Sequence, residues 1–143
     1  ANSNFGRGAQ EITLALSRSL GITLDRAAAV TRDVGLSDKP EEREIADVIS
    51  PIVDGILADV ERGVVAYNRA TSRKIERIVL TGGGASLAGL ANYAAKRFGL
   101  ETAIGNPFHR TIFPAFLAPV LREIAPNFSV AVGLALRPIT TTP

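Results

Sequence analysis

The sequence contains no cysteine, no methionine and no tryptophan, and only one histidine, His109. Without cysteine there are no disulfides, thiolate metal sites or cysteine nucleophiles, and a lone imidazole leaves carboxylates as the only plentiful metal ligands. Concentrated charge is missing too. The 16 Lys and Arg against 14 Asp and Glu leave a formal charge of +2, and no basic run exceeds two residues. That excludes the electrostatic footprint of a nucleic-acid binder. No signal-peptide pattern opens the chain, and no apolar run approaches the roughly 18–20 residues of a membrane span, so no direct span is expected. The lack of methionine and the polar opening Ala1–Gly6 are those expected of a chain that starts within a longer protein.

What is present suits one soluble domain: 143 residues, 46% hydrophobic and 21% charged, enough for a single core. Apolar spacing predicts a helix over Gln10–Leu20 with Ile12, Leu16 and Leu20 on one face and Gly21 as its stop. Thr23 is placed to cap a second helix, Leu24–Val34, ended by Gly35. A third and longest helix is expected from Pro40 to about Arg69, with Pro51 bending it. Glu41, Glu42 and Glu44 read as its solvated start rather than as metal ligands, since carboxylates suit the positive end of a helix.

The period then changes. Ile75–Thr81 is short and β-branched and runs into Gly82-Gly83-Gly84, which predicts a buried strand entering a tight turn. Ser86–Phe98 returns to helix, and Leu100–Ile104 to strand, giving a βαβ unit with two parallel strands. A loop and short helix are expected over Ile112–Ala125, interrupted by Pro114 and Pro119. A last helix, Val130–Leu136, is apolar all round and so expected to be deeply buried, and Ile139–Pro143 is expected to be a disordered tail.

The strand–glycine–helix junction carries the chemistry. Glycines let backbone approach a ligand, and free N–H groups at a helix start attract phosphate; equally, three glycines simply allow a tight reversal. A P-loop is excluded because Leu90-Ala91 stands where Lys-Ser/Thr is needed, and a dinucleotide fingerprint because Leu87 fills its last glycine slot. Gly84-Ala85-Ser86-Leu87-Ala88 approximates a nucleophile elbow, with Glu101 and His109 following in hydrolase order. Ala88 replaces its final glycine, and two strands cannot form the large sheet such an elbow needs.

Ile78-Val79-Leu80-Thr81-Gly82-Gly83-Gly84-Ala85-Ser86-Leu87-Ala88-Gly89-Leu90 resembles the adenosine motif of actin-like ATPases, a superfamily that includes the division protein FtsA. Asn106-Pro107-Phe108, the stretch from Ala125 to Arg137 and Gly8-Ala9-Gln10-Glu11-Ile12-Thr13 resemble the corresponding segments of the PilM family of type IV pilus assembly proteins. The resemblance runs from about Phe5 to Arg137. It implies an α/β fold: a mostly helical fragment of an actin-like, ribonuclease H-like domain II with two parallel strands, covering 1–138 with 22–70 as a helical insertion.

It also implies function. In such proteins the glycine turn packs against the base and α-phosphate side of a nucleotide, so Gly82, Gly83, Gly84, Ala85 and Ser86 are the expected binding residues. ATP and Mg2+ are the expected cofactors of the full-length family. The phosphate loops and Mg2+-associated acids precede this part of the family's chain, so this fragment alone is expected to be inactive and to hold no catalytic or metal residue. Family members resemble one another in binding a cytoplasmic peptide of PilN through a groove in that preceding half. The expected setting is cytoplasmic, peripheral to the inner membrane through PilN and other platform proteins. Where the family carries Ala-Glu-x-x-Lys near the ribose and base, this chain has Ala28 and Thr31 in place of Glu and Lys. Loss of two such partners costs about 1.5–3 kcal/mol each, which makes an ATP-independent structural adaptor the rival reading. Removal of neighbouring strands is expected to expose an edge and favour self-association of the fragment.

Overall fold

Three helices that each present an apolar stripe build the core of the computed structural model, which describes residues 8–137. The first, α1 (Ala9–Leu20), buries Ile12 and Leu16 and stops at Gly21, whose left-handed backbone (φ 64°) returns an N–H to the Ser17 carbonyl. The second, α2 (Leu24–Asp33), opens on Thr23, whose hydroxyl accepts from the Arg26 N–H as its capping chemistry predicts. The third, α3 (Arg43–Thr71), follows a 3-10 turn at Pro40–Glu42 and buries Ile49, Val53 and Leu57 at four-residue spacing. Leu16 and Ile49 are wholly buried, and each such side chain contributes about 1.5–3 kcal/mol of transfer free energy. Pro51 denies the Asp47 carbonyl its helical donor. Even so, α3 stays helical for 29 residues, because Ile49 and Val53 anchor both sides of the break in the core.

Strand β1 (Arg77–Leu80) pairs in parallel with β2 (Glu101–Ile104), joined by α4 (Leu90–Phe98). Arg77 stands opposite Glu101, and their side chains form an ion pair of 3.1 Å. The sequence predicts a buried β1. Instead its residues alternate between exposed and half-buried, and Val79 is 55% exposed, because one face of this two-stranded sheet has no cover among the described residues.

The C-terminal part is a succession of short helical pieces: a 3-10 turn at Ala115–Leu117, α5 (Ala118–Ile124), a 3-10 turn at Ala125–Phe128 and α6 (Ser129–Ala135). The sequence reading broke this region at its prolines. In the structure Pro119 and Pro126 occupy the first turns of their segments, where a missing N–H costs nothing. By length and composition, Ala115–Ala135 is therefore long and apolar enough to cross a membrane (21 residues, hydropathy 1.2), contrary to the expectation that no run reaches that length. Arg122 and Glu123 lie within it, and Ala125 and Pro126 at its centre are buried against the protein. The expected deep burial of the last helix is also overturned. Val130 and Leu134 are 73% and 64% exposed, since an apolar helix reports a need for cover without supplying it. The expected tail, 139–143, lies outside the described residues.

Two contacts lock these parts together. Leu36 donates its N–H to the Ala88 carbonyl at 2.9 Å, and Ala88 donates to the Thr31 carbonyl at 3.4 Å. The backbones meet so closely that a Cβ on Gly35 would lie 2.5 Å from the Ala88 oxygen, and one on Gly89 2.6 Å from the Leu36 oxygen. Both glycines also have positive φ, 53° and 77°. The second contact joins α4 to α3: the Tyr93 hydroxyl and the Arg97 guanidinium both donate to the Asp54 carboxylate, at 2.8 and 2.9 Å. Partial burial, then the Asp54 carboxylate, pushes the Tyr93 phenol above the usual tyrosine range.

Gly35→Ala and Gly89→Ala each combine a left-handed Cβ penalty of about 1–2 kcal/mol with a backbone clash. Gly99→Ala, at φ 63° with open space around it, carries the penalty alone. Urea denaturation is expected to show clearly larger losses for the first two, and equal losses for all three would refute the contact. Tyr93→Phe is expected to cost about 0.5–1.5 kcal/mol. Because the folded-state value of Tyr93 is raised, its stabilisation is complete below the ordinary tyrosine range and fades as pH rises through that elevated value. Wild type and variant are expected to differ at neutral pH and converge in strong alkali.

Candidate functional site

The contact between Leu36 and Ala88 fixes one face of α2 opposite the glycine turn. Thr31 and Ala28 lie one turn apart on that helix, and with Gly83, Gly84 and Ser86 they line a cavity of about 380 Å³, within the size range of small-ligand sites. The turn itself is a 3-10 segment, Gly83–Ser86. Gly82 enters it at φ 85° and ψ 173°, a conformation open essentially to glycine alone. Its N–H is spent on the Pro126 carbonyl at 2.9 Å, which draws the 125–128 turn beneath the site. Among the described residues nothing accepts from the N–H groups of Gly83 and Gly84. A Cβ on Gly84 would meet nothing within 4 Å, so no neighbour requires a glycine there.

The residues named from sequence divide accordingly. Ala28, Thr31, Gly83, Gly84 and Ser86 surround the cavity, whereas Gly82 is occupied by Pro126 and Ala85 is buried, 3% exposed. The Thr31 hydroxyl is also committed, donating to the Ala27 carbonyl at 2.8 Å. The Ser86 hydroxyl is the reverse case, buried with no hydrogen-bond partner among the described residues. Such an orphan has a reason to exist where a ligand supplies the bond.

One expectation about the junction fails. The glycine run does not open directly into a helix, because Gly89 turns left-handed against the Leu36 carbonyl and α4 begins only at Leu90. The free amides at the site are those of the turn, not of a helix end. Sequence reading also missed Asp25, Arg32 and Asn127, all of which line the cavity. Two were available from spacing: Asp25 and Arg32 lie three residues before and four after Ala28, on the same helical face. Asn127 was not, since only the Gly82–Pro126 bond brings it close; its Oδ1 lies 3.2 Å from the position of a Gly83 Cβ.

A second cavity of about 680 Å³ adjoins the first, and Arg32, Ser86, Leu87 and Asn127 line both. The hydrolase triad is not assembled. Glu101 begins β2 and pairs with Arg77 at the end of the sheet away from Ser86. His109 is exposed, and its Nδ1 is bonded to the Asn106 carbonyl at 2.8 Å.

The residues present fit the nucleoside side of a nucleotide: two free backbone amides, an orphaned hydroxyl and a small residue, Ala28, where bulk would fill the space. Comparison with known proteins identifies the family. The family model described as type IV pilus assembly protein PilM matches residues 2–139. A solved structure described as a PilM-PilN type IV pilus biogenesis complex is similar to this chain with a TM-score of 0.74 and 29% sequence identity. The match covers 89% of this chain and 35% of that one, so this chain spans about a third of the matched protein's length. The shared fold is the mostly helical, two-stranded part of an actin-like domain.

Gly84→Ala places a methyl group in open space, at a residue that lines the cavity. It is expected to leave the urea midpoint close to that of wild type while weakening adenine-nucleotide binding at least about tenfold, as expected for a steric block. Loss of folding together with binding would mean that Gly84 serves the turn and not the cavity.

Proposed function

We propose that this chain, which belongs to the PilM family of type IV pilus assembly proteins, forms the nucleoside-binding side of a cytoplasmic actin-like scaffold in pilus assembly. The carrying observation is that α2 and the glycine turn close on one cavity lined by Gly83 and Gly84, whose N–H groups have no acceptor among the described residues. These amides suit α-phosphate oxygens, and the Ser86 hydroxyl suits a polar edge of the nucleoside. ATP with Mg2+, when bound, supplies the charged, cleavable phosphates. The residues of this chain bind and orient the opposite end.

The partner reading follows from the matched structure, which holds a PilM with a PilN. We extend it to the intact protein carrying this chain: a PilN-type partner holds it at the inner membrane. A second reading has its own observation. Ala28 cannot hydrogen-bond through its side chain, and Thr31 spends its hydroxyl on its own helix, so neither replaces a charged ligand partner. This favours an adaptor that binds nucleotide weakly or not at all.

Calorimetric titration of the intact protein with ATP separates the two. Saturable binding with Kd below about 1 mM, corresponding to roughly 4 kcal/mol, is expected for the nucleotide-binding scaffold. Absence of saturation in that range would leave the adaptor reading. Co-purification with a PilN-type cytoplasmic peptide is expected on either reading, and its failure would remove the partner proposal.

A further inference from the structure

The geometry points to a second copy of this chain as the occupant of the outer face of α3, paired with it antiparallel about Val65. This face shares no residue with either cavity at the glycine turn, so it stands apart from the nucleotide reading. Beyond Leu57 the rest of α3, to Thr71, contains no buried residue. Half-buried Val60 and Val64 continue the stripe of Val53 and Leu57, while Glu61, Arg62, Val65, Ala66 and Arg69 are exposed on the other side. With Ala58 these exposed residues line a shallow groove of about 500 Å³. Val65 lies at its middle, 43% exposed and without cover among the described residues.

The charges on this face have an order. Glu61, Val65 and Arg69 form one row at four-residue spacing. The acid and the base are therefore about 12 Å apart along the axis, too far to pair within one helix. Arg62 is held by Asp59, and Arg69 has no ion-pair partner among the described residues. Glu61 stands 3.6 Å from Arg97, whose guanidinium is closer to Asp54 at 2.9 Å, and its side chain remains 55% exposed. A row ordered acid, apolar, base is complementary to its own reverse. A two-fold axis beside Val65 sets the two Val65 side chains together and brings each Glu61 level with the Arg69 of the other copy. Parallel pairing would set acid against acid and base against base, so the order selects the antiparallel arrangement. One apolar centre and two exposed ion pairs make a contact smaller than the roughly 1,200 Å² of a stable interface. The dimer is accordingly weak, forms at high protein concentration and is loosened by salt.

The test is sedimentation equilibrium of the intact protein up to millimolar concentration. It compares wild type, Glu61→Arg, Arg69→Glu, the double exchange and the control Arg26→Glu, an exposed residue of α2 away from this face. Wild type is expected to pass from monomer to dimer as concentration rises. Either single exchange places two pairs of like charges across the contact and is expected to weaken the dimer at least about tenfold. Arg26→Glu is expected to match wild type. The double exchange restores both ion pairs with their signs reversed and is expected to recover the dimer. An equimolar mixture of the two single variants sets an all-basic row against an all-acidic one, so dimers are expected in the mixture where neither variant alone forms them. Recovery between two different chains cannot come from a change within either fold. A wild type that stays monomeric throughout, the result if a different protein covers this face, overturns the inference. So does a dimer that both single exchanges leave intact, or a mixture no more dimeric than its components.

Discussion

The close backbone contact between residues 31–36 and 88–89 is the constraint on which the rest of the structure depends. Two hydrogen bonds, Leu36 to Ala88 and Ala88 to Thr31, hold the end of α2 against the chain leaving the glycine turn. Gly35 and Gly89 make the approach possible by having no Cβ where a backbone oxygen already sits. Leu36 and Leu87, carried by the two joined segments, enter the same core as Ile12, Leu16, Ile49 and Val53. Apolar burial thus supplies the free energy, while the contact supplies the geometry. Without it, α2 and the turn would be separate features and no cavity would lie between them.

A second tether completes the arrangement. The Gly82 N–H bonds to the Pro126 carbonyl, so a residue 45 positions along the chain, Asn127, reaches the cavity wall. The same bond occupies the Gly82 N–H and leaves those of Gly83 and Gly84 without an acceptor among the described residues. Three consecutive glycines therefore play separate parts: one turns the chain and anchors it, and the other two expose amides. The unfilled requirement at this point is a partner for the buried Ser86 hydroxyl, which has none among the described residues.

Much of this was legible in the sequence because local rules and tertiary packing agree. The 3.6-residue spacing of Ile12 and Leu16, and of Ile49, Val53 and Leu57, marks residues that are buried. Thr23 opens its helix through its side-chain oxygen, and Gly21 closes its helix through a left-handed backbone. The β1–α4–β2 unit followed from a change of period around a glycine run. Legibility failed where the outcome depends on another part of the chain. Val79, Val130 and Leu134 are apolar enough for a core, yet they are exposed, since hydrophobicity says nothing about what is available to cover a face. The delayed start of α4 depends on the Leu36 carbonyl, 53 positions away from Gly89. Asp25 and Arg32 were legible in principle, as neighbours of Ala28 on a helical face, once that face was known to border a cavity.

The central claim is that α2 and the glycine turn act as the two walls of one nucleoside site. Amide chemical-shift mapping of the intact protein during ATP addition tests it most directly. The account predicts saturable shifts confined to both walls, at Gly83 and Gly84 on one side and Ala28 and Arg32 on the other, with the polar cavity around Ser37, Arg43 and Ser50 unaffected. Shifts on one wall alone, or centred on the Ser37–Ser50 region, would contradict it.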